Sequence, residues 1–159
     1  MRKGSNGKMT SVYNSVHEIK IRILLLLRCS IREFISSDMI AGLDFITVYG
    51  KEFGVSDFNL HGDNRYKFSE LPSRREVVQR SLNYLVRNNL VEVSLANGFE
   101  YQITDRGEEF IEGFQSEYAA KYTQIAEKTF EKYGNSDETE LFKMIQSKSS
   151  IPTIYKEDE

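Results

Sequence analysis

Few side chains of this protein are equipped for catalysis, and they are scattered. Its imidazoles and thiol amount to His17, His61 and Cys29. His61-Gly62-Asp63 offers an imidazole and a carboxylate to a metal, but a bound ion needs more ligands at fixed geometry. A structural loop hydrogen bond is the better reading of that triplet. Cys29 closes an apolar run and reads as a buried, inert thiol. The acidic pairs Glu108-Glu109 and Asp137-Glu138 stand where helices begin, where they complement the helix dipole. With no glycine-rich phosphate loop either, the chain is expected not to be an enzyme and to use no metal and no cofactor.

Residues 74–88 suit another chemistry. Arg74, Arg75, Gln79, Arg80, Asn83 and Arg87 are types that hydrogen-bond phosphates and base edges. On a helical wheel Val78, Leu82, Leu85 and Val86 share one side, while Gln79, Arg80, Asn83 and Arg87 fall on the other together with Glu76. Any solvated helix carries such a face, and Glu76 would repel phosphate. DNA contact and plain solvation therefore both stand.

A helix is needed to present those six residues, and the flanking sequence supplies it. Pro72 discourages earlier helix, and Ser73-Arg74-Arg75-Glu76 has the form of a capping box. Leu90 to Leu95 and Phe99 to Ile103 alternate as half-buried strands, with positive φ angles expected at Asn97-Gly98 in a tight hairpin. Thr104 caps a following helix, in which Gly107 permits close packing on a neighbour. Upstream, Val16, Ile19, Ile23, Leu26 and Leu27 share one face of a helix beginning at Ser15, and Leu24 and Leu25 widen that face. Ser37-Asp38 caps a second helix carrying Met39, Ile40, Leu43, Phe45, Ile46 and Tyr49, with Gly50 as its stop. Residues 50–72 read as a long loop with one or two short turns. This order of elements spells a winged helix-turn-helix, a mainly α domain with a small β-hairpin that binds DNA or protein. Residues 95–100 contain no lysine or arginine, so the hairpin adds little to DNA binding.

From Asp105 to about Tyr133 the apolar spacing continues as the longest helix. At about 1.5 Å per residue, only Phe110 and Phe114 lie near enough to the first two helices to be core. Tyr118, Tyr122, Ile125, Phe130 and Tyr133 are expected to face a partner. Gly134-Asn135-Ser136 ends this helix, Asp137 to Gln146 forms a short last one, and Ser147 to Glu159 is a disordered tail or a docking peptide. The division is thus a basic tail (1–14), a winged-helix domain with its long C-terminal helix (15–133), and a short helix with an acidic tail (134–159).

At 159 residues the chain can bury one core with some appended helix. Its longest apolar run, Ile23 to Leu27, is far too short to span a bilayer, so no membrane partner is expected. A lone cysteine and the lack of a signal-like N-terminus lead us to expect a cytoplasmic chain. The net charge of −3 is unevenly spread: residues 61–90 hold six basic and three acidic groups, residues 107–159 six and twelve. That polarity suits one anionic partner and one that is not.

Leu60-His61-Gly62-Asp63-Asn64, followed by Glu70 and Ser73-Arg74-Arg75-Glu76, resembles the middle component of bacterial ABC three-component systems. Thr104-Asp105-Arg106-Gly107, then Phe110, Phe114, Ser116, Tyr118 and Ala119, is similar to that family's passage from wing to long helix. Thr-Asp-Arg-Gly is common to many winged helices, so the Leu-His-Gly-Asp-Asn loop is the more selective part. The resemblance implies a small non-enzymatic subunit beside an SMC- or Rad50-like coiled-coil ATPase and a nuclease-type effector, as in Lamassu-type antiphage defence. Such a subunit would bridge or brace the ATPase arms near their heads. Two rivals stay open: a stand-alone transcriptional regulator, homodimeric through its long C-terminal helix, and a scaffold that never meets DNA.

Overall fold

The computed structural model describes the backbone of residues 16–158 and the side chains of residues 17–149; the expected basic tail, residues 1–14, lies outside them. Helix α1 (Val16–Arg28) buries Ile19, Ile23 and every residue from Leu24 to Leu27, so it is sheathed on most sides. After the two-residue strand β1 (Ile35–Ser36) comes α2 (Ser37–Val48). Its cap is Ser36, one residue ahead of the expected position, and the hydroxyl accepts from the Met39 amide at 3.2 Å. All residues from Met39 to Val48 are buried, which makes α2 the middle of the molecule. Helix α2 ends just ahead of Gly50, the expected stop, with Tyr49 as its C-cap. The chain breaks at Tyr49, makes one more turn as α3 (Gly50–Phe53), and closes at Gly54 with φ +75°.

A 3₁₀ turn over Lys67–Glu70 leads straight into α4 (Leu71–Arg87). The helix therefore starts two residues ahead of Ser73, and the expected capping box does not form. Ser73 instead donates to the Glu70 carbonyl at 3.1 Å, and Pro72 occupies the first turn, where its missing N–H is harmless. Strands β2 (Val91–Ser94) and β3 (Glu100–Ile103) pair antiparallel from Val91↔Ile103 to Ser94↔Glu100. β1 adds to the other edge of β3, giving the order β1-β3-β2. Of Asn97 and Gly98, both expected at positive φ, Gly98 has it (+84°) and Asn97 does not; Asn89 (+62°) takes a left-handed turn where α4 gives way to β2.

The expected long helix is two helices, α5 (Asp105–Glu112) and α6 (Glu117–Tyr133). Gly113 sits at the break, and Ser116 caps α6 by accepting from the Ala119 amide at 3.0 Å. The turn lets α6 fold back over α1 and α2. Helix α7 (Glu138–Asp158) runs well past Gln146, so the segment from Ser147, expected as a disordered tail or docking peptide, continues the helix. Ser36 donates to the Glu138 carboxylate near its start, and Leu141 sits against Gly42 of α2. The fold is mainly helical with a small three-stranded antiparallel sheet.

Gly107 packs as closely as its sequence position implied. A Cβ there would collide with the Leu90 carbonyl oxygen and with Ile103, the first of which is backbone and cannot move aside. Gly107→Ala should cost about 1–3 kcal/mol of stability through overpacking. Urea unfolding checks this, and an unchanged midpoint would contradict the packing described.

Candidate functional site

The residues that carry chemistry separate into a buried polar network and an exposed surface. Asp44, at the centre of α2, is buried and accepts from Arg22 Nε and Nη2 at 2.9 Å each, from Arg74 Nη1 at 2.7 Å and from the Tyr122 hydroxyl at 2.6 Å. Burial by itself raises the Asp44 carboxyl, but the two guanidiniums and the hydrogen bonds outweigh it and hold the group well below the usual carboxylate range. Arg74 Nη2 continues to Glu70 at 3.1 Å, and Glu70 in turn accepts from the Tyr49 hydroxyl at 3.0 Å and from Asn64 Nδ2 at 2.7 Å. Nearby, His61 Nε2 and the Tyr118 hydroxyl share a hydrogen bond at 2.7 Å with their rings stacked. Burial, with Arg22 and Arg74 close by, pushes the His61 imidazole down to about 3.

This network answers what the Leu60–Asn64 loop is for. Asn64 from the loop, Glu70 from the 3₁₀ turn and Arg74 from α4 tie residues 50–72 to the central helix, and His61 ties them to Tyr118 of α6. His61 and Asn64 are half-buried, while Gly62, Asp63, Arg65 and Tyr66 of the same loop stay exposed. Among the described residues no three acidic, histidine or cysteine side chains gather as a metal site.

Two expectations about site residues change accordingly. Arg74 is 3% exposed and neutralises Asp44, so it cannot reach a nucleic acid from this position. Arg75 is exposed but forked onto Asp38 at 2.8–3.2 Å and laid over the Phe142 ring, where it pins α7 to α2 and α4. Gln79 is half-buried and donates to the Tyr101 hydroxyl at 3.2 Å and to Asn83 at 3.3 Å. Arg80, Asn83 and Arg87 remain as an exposed row on α4.

The aromatic stripe is the larger correction. Because α6 turns back, Tyr122, Ile125 and Phe130 are buried in this chain's own core. Tyr118 is occupied by His61, and the Tyr133 hydroxyl donates to the Phe53 carbonyl at 2.7 Å. The five residues expected to await a partner are satisfied internally. Phe110 and Phe114, expected inside, are 45% and 39% exposed with ring centroids 5.3 Å apart.

Sequence reasoning missed the apolar hairpin tip. Leu95 and Phe99 are each 66% exposed, and Val93 beside them is 38% exposed. From Val91 to Glu100 the charged residues are Glu92 and Glu100 alone. Strand alternation places Leu95 on the face of the buried Val91, so the only signal was that Leu95 and Phe99 flank the turn, beyond the paired residues Ser94 and Glu100. Such a tip repels phosphate and attracts apolar protein surface.

Against known proteins, one family model matches, over residues 12–152: the ABC-three component (ABC-3C) system Middle Component 2. No curated protein and no solved structure matches the chain.

Proposed function

The chain belongs to the ABC-three component system Middle Component 2 family, and on that premise we propose that it is a non-catalytic accessory subunit that docks onto a partner protein through its hairpin tip. The partners in this reading are an SMC- or Rad50-like coiled-coil ATPase and a nuclease-type effector, joined in a cytoplasmic, Lamassu-type antiphage assembly. We read the fold as a winged helix, supported by the helix–strand–helix–helix–hairpin order and the β1-β3-β2 sheet. The single observation behind protein docking is the exposed, base-free apolar tip at Leu95 and Phe99.

DNA is the secondary contact, through Arg80, Asn83 and Arg87. Arg80→Glu with Arg87→Glu should lower the salt dependence of DNA binding by the assembled complex by about two phosphate contacts. Subunit association should stay intact. A titration of fluorescent duplex at several salt concentrations checks this, and an unchanged salt slope assigns those arginines to solvent.

A stand-alone dimeric regulator finds less support, since the α6 stripe that would dimerise it is covered by α1 and α2. The deciding test is co-expression of the tagged chain with the coiled-coil ATPase of its own system. Co-elution at a defined stoichiometry is expected, and a partner-free monomer contradicts the proposal.

A further inference from the structure

Between α1, the end of α4 and α5 runs an open groove of about 480 Å³. Its floor is apolar, made by Ile21, Leu24, Leu85 and Leu90, and its walls carry the exposed rings of Tyr84 (42%) and Phe110 (45%). Large exposed rings beside an apolar floor are the usual anchors of a helix-in-groove contact. Lys20 and Arg106 also line the groove, against a lone carboxylate from Glu109. Lys20 Nζ lies 3.6 Å from the Tyr84 ring centroid, and neither cation makes an ion pair among the described residues. The groove therefore offers apolar burial together with an excess of positive charge at its edge.

We propose that this groove receives an amphipathic helical segment of another subunit, with its apolar row on Leu24, Leu85 and Phe110 and its carboxylates toward Lys20 and Arg106. This rests on the reading of the chain as an assembly subunit and gives it a second docking surface, apart from the hairpin tip. Nucleic acid fits the groove poorly, because the floor would meet phosphates with hydrocarbon. A lone aliphatic ligand would leave both cations unpaired.

The test uses the isolated full chain and two synthetic helical peptides. They share one leucine–phenylalanine row and differ in having glutamate or lysine at the flanking positions. The glutamate peptide should shift the amide NMR signals of Lys20, Tyr84, Asn88 and Phe110 saturably, and bind about tenfold or more tighter than the lysine peptide. Lys20→Glu with Arg106→Glu should reverse that preference, and Arg106→Glu alone, at an exposed position, should weaken it while leaving the thermal unfolding curve in place. Equal affinities, shifts elsewhere or no shifts would overturn the proposal. So would groove signals that move with protein concentration alone, which would assign the groove to a second copy. Because no ATPase is present, this titration can fail while the complex still assembles, and the complex can fail to assemble while the titration succeeds.

Discussion

Asp44→Ala is expected to remove a large share of the protein's folding stability at neutral pH. The carboxylate is the shared acceptor of two buried guanidiniums and a buried phenol. Removing it takes the shared buried partner from Arg22 and leaves Arg74 with Glu70 alone, a defect worth about 3–5 kcal/mol. A domain of ordinary stability holds about 5–15 kcal/mol in total. Urea unfolding followed by circular dichroism reads the loss directly, and a wild-type midpoint would show that the network is inessential. By contrast, Arg75→Ala opens an exposed pair and should cost less than about 1 kcal/mol.

The same network sets an acid limb. The Asp44 carboxyl is depressed in the folded state, so its stabilisation is complete above the ordinary carboxylate pKa of about 4 and is lost as pH falls below it. His61 is depressed to about 3, so the unfolded chain takes up its proton first, and stability declines as pH drops from about 6.5 toward that value. His61→Gln should flatten the decline between roughly pH 6.5 and 4 and leave the lower limb in place. A pH series of urea midpoints checks both signs.

The second large effect concerns the hairpin tip. Leu95→Asp with Phe99→Asp removes two exposed apolar side chains and places carboxylates next to Glu92 and Glu100. If the tip seats in a partner, each side chain contributes on the order of 1.5–3 kcal/mol of apolar burial, so the pair should weaken association by about a hundredfold or more. Neither residue supports the core, and folding stability should stay within about 0.5 kcal/mol of wild type. The variant therefore separates binding from folding, which no substitution of the buried Tyr122, Ile125 or Phe130 can do.

Much of the architecture was legible because it rests on local signals. The leucine run of α1, the apolar face of α4, the Thr104 cap and the hairpin follow from spacing and turn chemistry, and each is present. β1 was not legible, since two residues have no period; it exists only because β3 offers an edge at Tyr101 and Glu100. The fate of the aromatic stripe turned on the Gly113–Ser116 break. A glycine and a capping serine there end one helix and begin another, and that reversal brings Tyr122 and Phe130 home to the core. Reading the stripe as one straight rod sent its rings outward.

Candidate site residues fared according to whether their partners were distant in sequence. Arginine types on α4 were recognisable, but the pairing of Arg74 with Asp44 spans thirty residues and leaves no local trace. Within the His61–Asn64 loop, His61 and Asn64 serve the interior, Asn64 through Glu70, which in turn accepts from Arg74. The apolar tip was hidden by the opposite circumstance. A leucine and a phenylalanine beside strands look like core until the sheet is seen to end short of them.

The account stands most directly on one binding comparison: the purified coiled-coil ATPase titrated, at physiological salt, with wild-type chain, with Leu95→Asp/Phe99→Asp, and with Arg80→Glu/Arg87→Glu. Protein docking through the tip predicts that the first variant loses about a hundredfold in affinity and that the arginine variant binds within about threefold of wild type. Undiminished binding by the tip variant, with loss confined to the arginine variant, would contradict it.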